Sequence, residues 1–167
     1  MVIIQSNSVS SSNPEKPPTI LELNLDKVCN HGIIEIEFLA RGDGYVALLI
    51  MYLNQNNHYA IEIYGHKKKQ CLLRKVIDGK YNVLEKNVEG CGYIKDVWHT
   101  LAVKMTDKSI DVYFAQSGAG LINIITFKND EPYKDGKVGL ATFETIAGFT
   151  NMKMFPLDDA DMMPSLL

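Results

Sequence analysis

Apolar and polar residues alternate with period two along most of this chain, from residue 19 onward. Successive side chains of a β-strand point to opposite faces, so the alternation predicts strands, and Gly, Asn and Asp mark the breaks between them. Almost no helical periodicity interrupts the pattern, which predicts an all-β sandwich or barrel. The eleven candidate strands span residues 19–26, 32–41, 45–53, 58–65, 70–77, 81–86, 98–105, 109–115, 121–128, 137–143 and 149–155.

The segments outside these strands set the expected domain limits. A chain of 167 residues is long enough for one domain with a real hydrophobic core. Residues 5–18 are rich in Ser, Asn and Pro, a composition typical of flexible linkers. We therefore expect an N-terminal extension at 1–18, a β-sandwich domain at 19–156, and a tail or domain edge at 157–167. The linker-like start also predicts a larger, multidomain parent protein.

Charge and hydropathy exclude two classes of partner. The net charge is −3, and the dense basic run Lys67–Lys69 has no interleaved aromatic residues, so we expect no nucleic-acid binding. No stretch approaches the roughly 18 consecutive apolar residues of a membrane helix, so we expect no membrane insertion.

The three cysteines leave the compartment open. Cys71 and Cys91 flank a predicted hairpin whose tip is Asp78-Gly79, which separates them by about 16 Å at ~3.3 Å per residue. They are therefore expected as free thiols, unless the loop around Cys91 folds back. Free thiols and the absence of an Asn-x-Ser/Thr sequon favour an intracellular setting, whereas a multidomain parent favours an extracellular or secretory one.

Side-chain alternation also divides each predicted strand into a core face and a polar face. On the polar side lie carboxylates, cations and tyrosines from five strands. If these strands are sheet neighbours, they form one charged and aromatic surface. Its members are Glu35, Glu37, Glu62, Tyr64, Arg74, Lys104, Asp111 and Tyr113.

The stretch VWHTLAVKMTDKSIDVYF at 97–114 opens on a Trp-His pair, and a polar turn joins its two alternating strands. A Gly-containing strand, KVGLATF, and a closing strand, FTNMKMF, follow it. In this succession the chain resembles the concanavalin A-like lectin/glucanase superfamily, and within it laminin-G-like domains and jelly rolls of the 3-keto-disaccharide hydrolase type. The resemblance covers about residues 19–155. It implies two antiparallel sheets, one of them concave, that bind carbohydrate or protein on that face or at its rim.

A non-catalytic recognition or adhesion module is the function that this resemblance implies, with a glycan or a protein as ligand. Sugar recognition needs an aromatic ring to stack on a pyranose and charged planar groups to bind its hydroxyls. Glu62, Tyr64, Arg74 and Tyr113 supply these types and are the candidate ligand-binding residues. A merely solvated sheet face is the alternative interpretation of the same four residues.

Two further functions stay open. Glu35 and Glu37 share a strand face at roughly 6.5–7 Å, a spacing compatible with the acid and nucleophile of a glycoside hydrolase. However, the Glu-x-Asp-x-x-Glu string of glucanases in the superfamily is missing, so we do not expect an enzyme. An intracellular protein-interaction domain is the other alternative.

No cofactor is expected, with calcium as the open alternative. Asp43, Asp130 and Glu131 lie in predicted loops, where backbone carbonyls can complete an oxygen site. Trp98 and His99 are interpreted as architecture: the Trp ring would seal the sandwich edge, and His99 shares a face with Leu101 and Val103. No catalytic or metal partner for His99 is readable in the sequence.

Overall fold

A computed structural model describes residues 1–5, 18–23, 31–65, 67–116, 118–133 and 136–157. Twelve strands are found in these ranges, and each of the eleven predicted strands has a counterpart among them. The strands are β1 (Val2–Gln5), β2 (Thr19–Leu23), β3 (Gly32–Ala40), β4 (Tyr45–Asn54), β5 (Asn57–Tyr64), β6 (Cys71–Ile77), β7 (Lys80–Asn87), β8 (Trp98–Met105), β9 (Ser109–Gln116), β10 (Ile122–Lys128), β11 (Lys137–Phe143) and β12 (Ile146–Pro156).

These strands form two six-stranded antiparallel sheets. Sheet A has the order β1-β12-β3-β8-β9-β10, and sheet B has the order β2-β11-β4-β5-β6-β7. The predicted all-β, two-sheet sandwich is therefore confirmed. No helix able to span a membrane occurs within the described ranges.

The hydrophobic core lies between the inner faces of the two sheets. Its central members are fully buried and alternate along their strands, as the period-two pattern predicts. Sheet A contributes Ile34, Ile36, Phe38, Leu101, Val103, Val112 and Phe114, and sheet B contributes Leu48, Ile50, Tyr59, Ile61, Ile63 and Leu73.

The Trp-His pair is divided between the two faces of β8. His99 points into the core, where its ring stacks on Phe38 and Phe114 with centroids 5.4 and 5.1 Å away. The Ile94 N–H donates to its Nε2 at 3.0 Å, and burial lowers the pKa of His99. His99 is therefore a core side chain that is neutral at pH 7. The prediction that Trp98 seals the sandwich edge is wrong, because Trp98 is 36% exposed and lies on the outer face of sheet A.

Strand β1 is the element that the sequence did not predict. Residues 2–5 pair with β12 from Phe149 to Ile146, so the chain begins at the edge of sheet A. The run is short and precedes a polar segment, which is why it carried no alternation signal. The rest of the expected linker, residues 6–17, and most of the expected tail, residues 158–167, lie outside the described residues, so the domain limits stay a prediction.

The loop between β7 and β8 folds back onto the start of β6. Gly92 lies so close to Lys69 that an added Cβ would be 2.8 Å from the Lys69 Cα. The Tyr93 N–H donates to the Tyr64 carbonyl at 2.9 Å. This return brings Cys91 to Cys71, so the wide separation expected from hairpin geometry is wrong. Both cysteines are free thiols.

Candidate functional site

The predicted polar surface is in fact two surfaces, on opposite sides of the sandwich. Glu62, Tyr64 and Arg74 lie together on the outer face of sheet B, where Ala60 pairs with Arg74 and Glu62 with Leu72. Tyr113 lies on β9 in sheet A, paired with Ala102. The expectation of a single face is therefore wrong for Tyr113. Alternation assigns a side chain to one face of its own strand, but it does not say which sheet contains that strand. The sheet A surface also carries Glu35, Glu37, Lys104 and Asp111.

Glu62, Tyr64 and Arg74 form a closed triad of polar contacts. The Tyr64 hydroxyl donates to Glu62 Oε1 at 3.0 Å, and an Arg74 terminal nitrogen donates to the Tyr64 oxygen at 3.2 Å. Arg74 Nε lies 2.9 Å from Glu62 Oε2. Each side chain therefore fixes the other two, and the guanidinium is held in one orientation.

Glu62 is far more buried than an outward-facing strand residue is expected to be. Its side chain is 2% exposed, against 24% for Arg74. Burial raises the pKa of Glu62 to about 7, and the Arg74 charge and the Tyr64 hydroxyl only partly oppose this rise. The solvated-face interpretation is therefore wrong for Glu62, and Arg74 is the more accessible member of the triad.

An aromatic row borders the triad on one side. Phe143, Tyr45 and Tyr64 are register partners across β11, β4 and β5. The Phe143 and Tyr45 rings stack with centroids 5.3 Å apart, and Tyr45 and Tyr64 tilt together at 5.0 Å. The Lys68 ammonium lies 5.3 Å from the Tyr64 ring centroid, which places a cation at the end of the row.

Small side chains occupy the middle of the same face. Ala141 pairs with Ala47, and Ala47 pairs with Glu62 in the next strand. These alanines, together with Ala60, are almost fully buried, although no further sheet formed by the described residues covers this side. Larger side chains of the same face pack with these alanines in one cluster and contribute to their burial, among them Tyr45, Tyr64 and Phe143.

A cavity of about 620 Å³ opens on the same face, beyond the three alanines. Tyr52 and Tyr81 line it, with Gln55 and Asn56 from the β4–β5 turn. Ile20 and Glu22 of β2 line the same cavity, although β2 and β7 are opposite edges of sheet B. A flat sheet would separate these edges by about 24 Å at ~4.8 Å per strand. The sheet must therefore curve, and we call its outer side the concave face.

Tyr81 connects the cavity to the triad. Tyr81 on β7 pairs with Val76 on β6, and Tyr81 is 44% exposed. Burial of part of the ring and the nearby Glu62 carboxylate raise the pKa of Tyr81, while the Arg74 charge opposes them. Tyr81 thus lines the cavity and lies within electrostatic reach of the triad.

The other predicted carboxylates lie on the outer face of sheet A. Glu35 is buried at the β3 surface, with Lys153 Nζ 4.0 Å from its Oε1, and Glu37 accepts a hydrogen bond from Asn151. The cavity on this side is a groove of about 260 Å³ lined by Leu39, Trp98 and Ile146 among others, and neither glutamate lines it. The two carboxylates thus each contact a neighbouring side chain of β12.

Two of the candidate calcium ligands, Asp43 and Asp130, lie next to lysine side chains. Asp43 contacts Lys95 at 2.6 Å and Lys67 at 3.0 Å, and these lysines hold its pKa below the usual value. Asp130 lies 3.9 Å from Lys128. Across the described part of the chain, no three His, Cys, Asp or Glu side chains gather as a metal site. Calcium stays a prediction.

Sequence reasoning missed the aromatic residues of the concave face. Tyr45, Tyr52 and Phe143 were assigned to strands without a role, and Tyr81 begins a predicted strand. The stretch YVALLIMYL at 45–53 is apolar on both faces, which indicates a strand that is covered on both sides. Strand β4 is indeed covered twice, by the core on one side and by the aromatic row on the other.

Solved structures share this architecture, whereas no protein-family model and no curated protein matches the sequence. The carbohydrate-binding module CBM66 from Bacillus subtilis superimposes with a TM-score of 0.67 at 16% identity, over 78% of each chain. A galectin from Caenorhabditis elegans gives 0.59 at 8% identity, over 83% of this chain and 91% of the galectin. A xylan β-1,4-xylosidase from Bacillus halodurans gives 0.56 at 17% identity, over 75% of this chain and 28% of the xylosidase.

The finer resemblances to laminin-G-like domains and to 3-keto-disaccharide hydrolases stay predictions. At these identities the likenesses establish the fold. The chain therefore shares the antiparallel two-sheet β-sandwich fold of the carbohydrate-binding module and the galectin.

Proposed function

We propose that this protein is a non-catalytic carbohydrate-recognition module that binds a glycan on the concave face of sheet B. The observation that carries the proposal is the cavity of about 620 Å³ lined by Tyr52 and Tyr81, because a partly exposed tyrosine ring beside polar side chains suits a pyranose. The carbohydrate-binding module and the galectin among the structural neighbours support the same class of ligand.

The residues predicted from the sequence take different roles in this proposal. Arg74, 24% exposed, presents donors to sugar hydroxyls. Glu62 and Tyr64 are nearly buried and act as positioning residues that hold the guanidinium. Tyr81 supplies the stacking ring, while Gln55 and Asn56 offer exposed amides at the cavity rim. Tyr113, on the other sheet, has no part in this site.

Two features support a binding module over a hydrolase. Glu35 and Glu37 lie on the outer face of sheet A, away from the cavity, and each contacts a neighbouring side chain. Moreover, the concave face carries its buried carboxylate, Glu62, in contact with Arg74. The xylosidase likeness covers 28% of that enzyme's chain and concerns the fold.

A glycan array of the full chain, with calcium and with a chelator, tests the proposal. We expect binding to at least one glycan class, and the comparison of the two conditions tests the calcium prediction. Silence in both conditions would overturn the proposal and favour the protein-ligand alternative.

Calorimetry with an array hit then tests the location of the site. We expect Tyr81→Ala to weaken the affinity about tenfold by removing the stacking ring. Tyr113→Ala is the matched control, a half-buried tyrosine on the other sheet, and its affinity should stay within about twofold of the wild type. Equal losses in the two variants would contradict a site on the concave face.

A further inference from the structure

Two buried cysteines meet where the β7–β8 loop returns to β6. Cys71 is the first residue of β6 and is fully buried, and Cys91 lies in the loop and is 7% exposed. Two contacts fix the loop in this position: Gly92 lies against Lys69, and the Tyr93 N–H donates to the Tyr64 carbonyl. The proximity of the two cysteines is therefore part of the fold and not a chance rotamer.

The thiols are in direct contact. The Cys91 S–H donates to the Asn87 carbonyl at 3.0 Å, and Asn87 is the register partner of Cys71 across β6 and β7. The two sulfur atoms also hydrogen-bond to each other. Burial and the contact with Cys91 raise the pKa of Cys71, whereas the hydrogen bond from Cys71 lowers the pKa of Cys91. Cys91, in the loop, is thus the more reactive thiol.

We propose that Cys71 and Cys91 form a reversible intramolecular disulfide when the domain meets a hydroperoxide such as hydrogen peroxide. The Cys91 thiolate attacks one peroxide oxygen, the O–O bond breaks, and hydroxide leaves to give the Cys91 sulfenic acid. The Cys71 thiol then attacks that sulfur, and the sulfenic oxygen leaves as water. In total, two thiols and one hydrogen peroxide give one disulfide and two waters. The sulfurs lose the two electrons that reduce the peroxide.

The crosslink would act on the rim of the concave face. The loop that carries Cys91 also carries Tyr93, whose hydroxyl donates to the Gly42 carbonyl at 2.9 Å. Cys71 belongs to the strand that carries Arg74. Oxidation would therefore tie this loop covalently to β6 and constrain residues 71–91 in the unfolded chain. Such constraints stabilise the folded state. This oxidation requires no bound glycan.

Peptide mapping tests the proposal, with the Cys29→Ser variant of the full chain so that a third thiol cannot exchange. The reduced protein is treated with a small excess of hydrogen peroxide, remaining thiols are blocked with N-ethylmaleimide in denaturant, and the digest is analysed by mass spectrometry. We expect one linked peptide pair containing Cys71 and Cys91, which dithiothreitol separates. The melting temperature should rise by roughly 5–10 °C on oxidation and return on reduction.

The outcomes are distinguishable. Adding Cys71→Ser to this background removes the resolving thiol, and dimedone should then trap the Cys91 sulfenic acid. Thiols that stay fully labelled after peroxide treatment would overturn the proposal. So would over-oxidation of Cys91 to the sulfinic acid without a linked peptide while Cys71 is present. If the double variant does not fold, the mapping of the single variant still decides between these results.

Discussion

The outer faces of the two sheets have the same alternating sequence pattern but different physical environments. On sheet A, Glu37, Lys104 and Tyr113 are half-buried, as is usual for a solvated sheet face, whereas Glu35 on the same face is buried. On sheet B, Glu62 and Tyr64 are 2% and 6% exposed, although within the described part of the chain no further sheet lies over them. The difference shows that alternation identifies the residues that leave the core, but curvature and neighbouring rings decide whether water reaches them.

Charge pairs on the two outer faces should contribute differently to stability. A carboxylate and a guanidinium on the solvated face interact weakly, because water screens both charges. On the concave face the same chemical groups are desolvated, so loss of one partner leaves the other without compensation. The concave face is therefore the region where single charge changes should have large effects.

The largest expected effect is the loss of the Arg74 cation. At pH 8, Arg74→Ala should lower the free energy of unfolding by about 3 kcal/mol, because Glu62 remains buried without its ion-pair partner. Lys153→Ala is the control on sheet A, where the 58% exposed Lys153 has its Nζ 4.0 Å from Oε1 of the buried Glu35, a longer contact than that of Arg74. Urea denaturation should show a change within about 0.5 kcal/mol for this control. Similar losses in both variants would contradict the difference between the faces.

The second-largest expected effect is a pH dependence of the difference in unfolding free energy between Glu62→Gln and the wild type. Its pKa is raised to about 7 in the folded protein, above the value of 4.5 in the unfolded chain. The stabilising contribution of protonated Glu62 is therefore fully present below pH 4.5 and is lost as the pH rises through about 7. Glu62→Gln removes this pH-dependent contribution to the free energy of unfolding. From pH 5 to pH 8 the stability of the variant relative to wild type should increase by about 2.5 kcal/mol.

Urea denaturation of both proteins across that pH range measures the effect. His58 and His99, whose pKa values are lowered by burial, titrate in both proteins, so their contributions cancel in the difference. Any change in the free energy of unfolding that comes from placing an amide beside Arg74, and that is the same at every pH, cancels when the differences at pH 5 and pH 8 are compared. A stability difference that does not change between pH 5 and pH 8 would show that Glu62 is not desolvated as the structure indicates.

The sequence predicted the strands well because their signal is local. Period two follows from the pleat itself, so segments such as Gly32–Ala40 and Trp98–Met105 were predicted almost to the residue. The missed strand, Val2–Gln5, is stabilised by pairing with β12 at the far end of the chain. No local pattern encodes such a pairing, which is why it was not predicted.

The candidate site was predicted in part for the same reason. Glu62, Tyr64 and Arg74 were grouped correctly, because β5 and β6 are consecutive and pair directly. Tyr113 was assigned to the wrong face because the chain crosses from sheet B to sheet A between β7 and β8, so its strand β9 lies in the other sheet. Similarly, Tyr52 and Tyr81 meet across a curved sheet from strands that are not neighbours. Contacts of this kind depend on strand order and curvature, neither of which alternation reveals.

The smallest expected effect isolates one hydroxyl on each face. Tyr64→Phe removes the group that donates to Glu62 and accepts from Arg74, while the ring contact with Tyr45 remains. Because this loss leaves buried polar partners unsatisfied, we expect about 1.5 kcal/mol of destabilisation by urea denaturation. Tyr113→Phe should change stability by less than about 0.5 kcal/mol, since Tyr113 is half-buried on the solvated face of sheet A. If the Tyr64 hydroxyl proves as dispensable as that of Tyr113, the triad is not a desolvated network and the two faces differ only in shape.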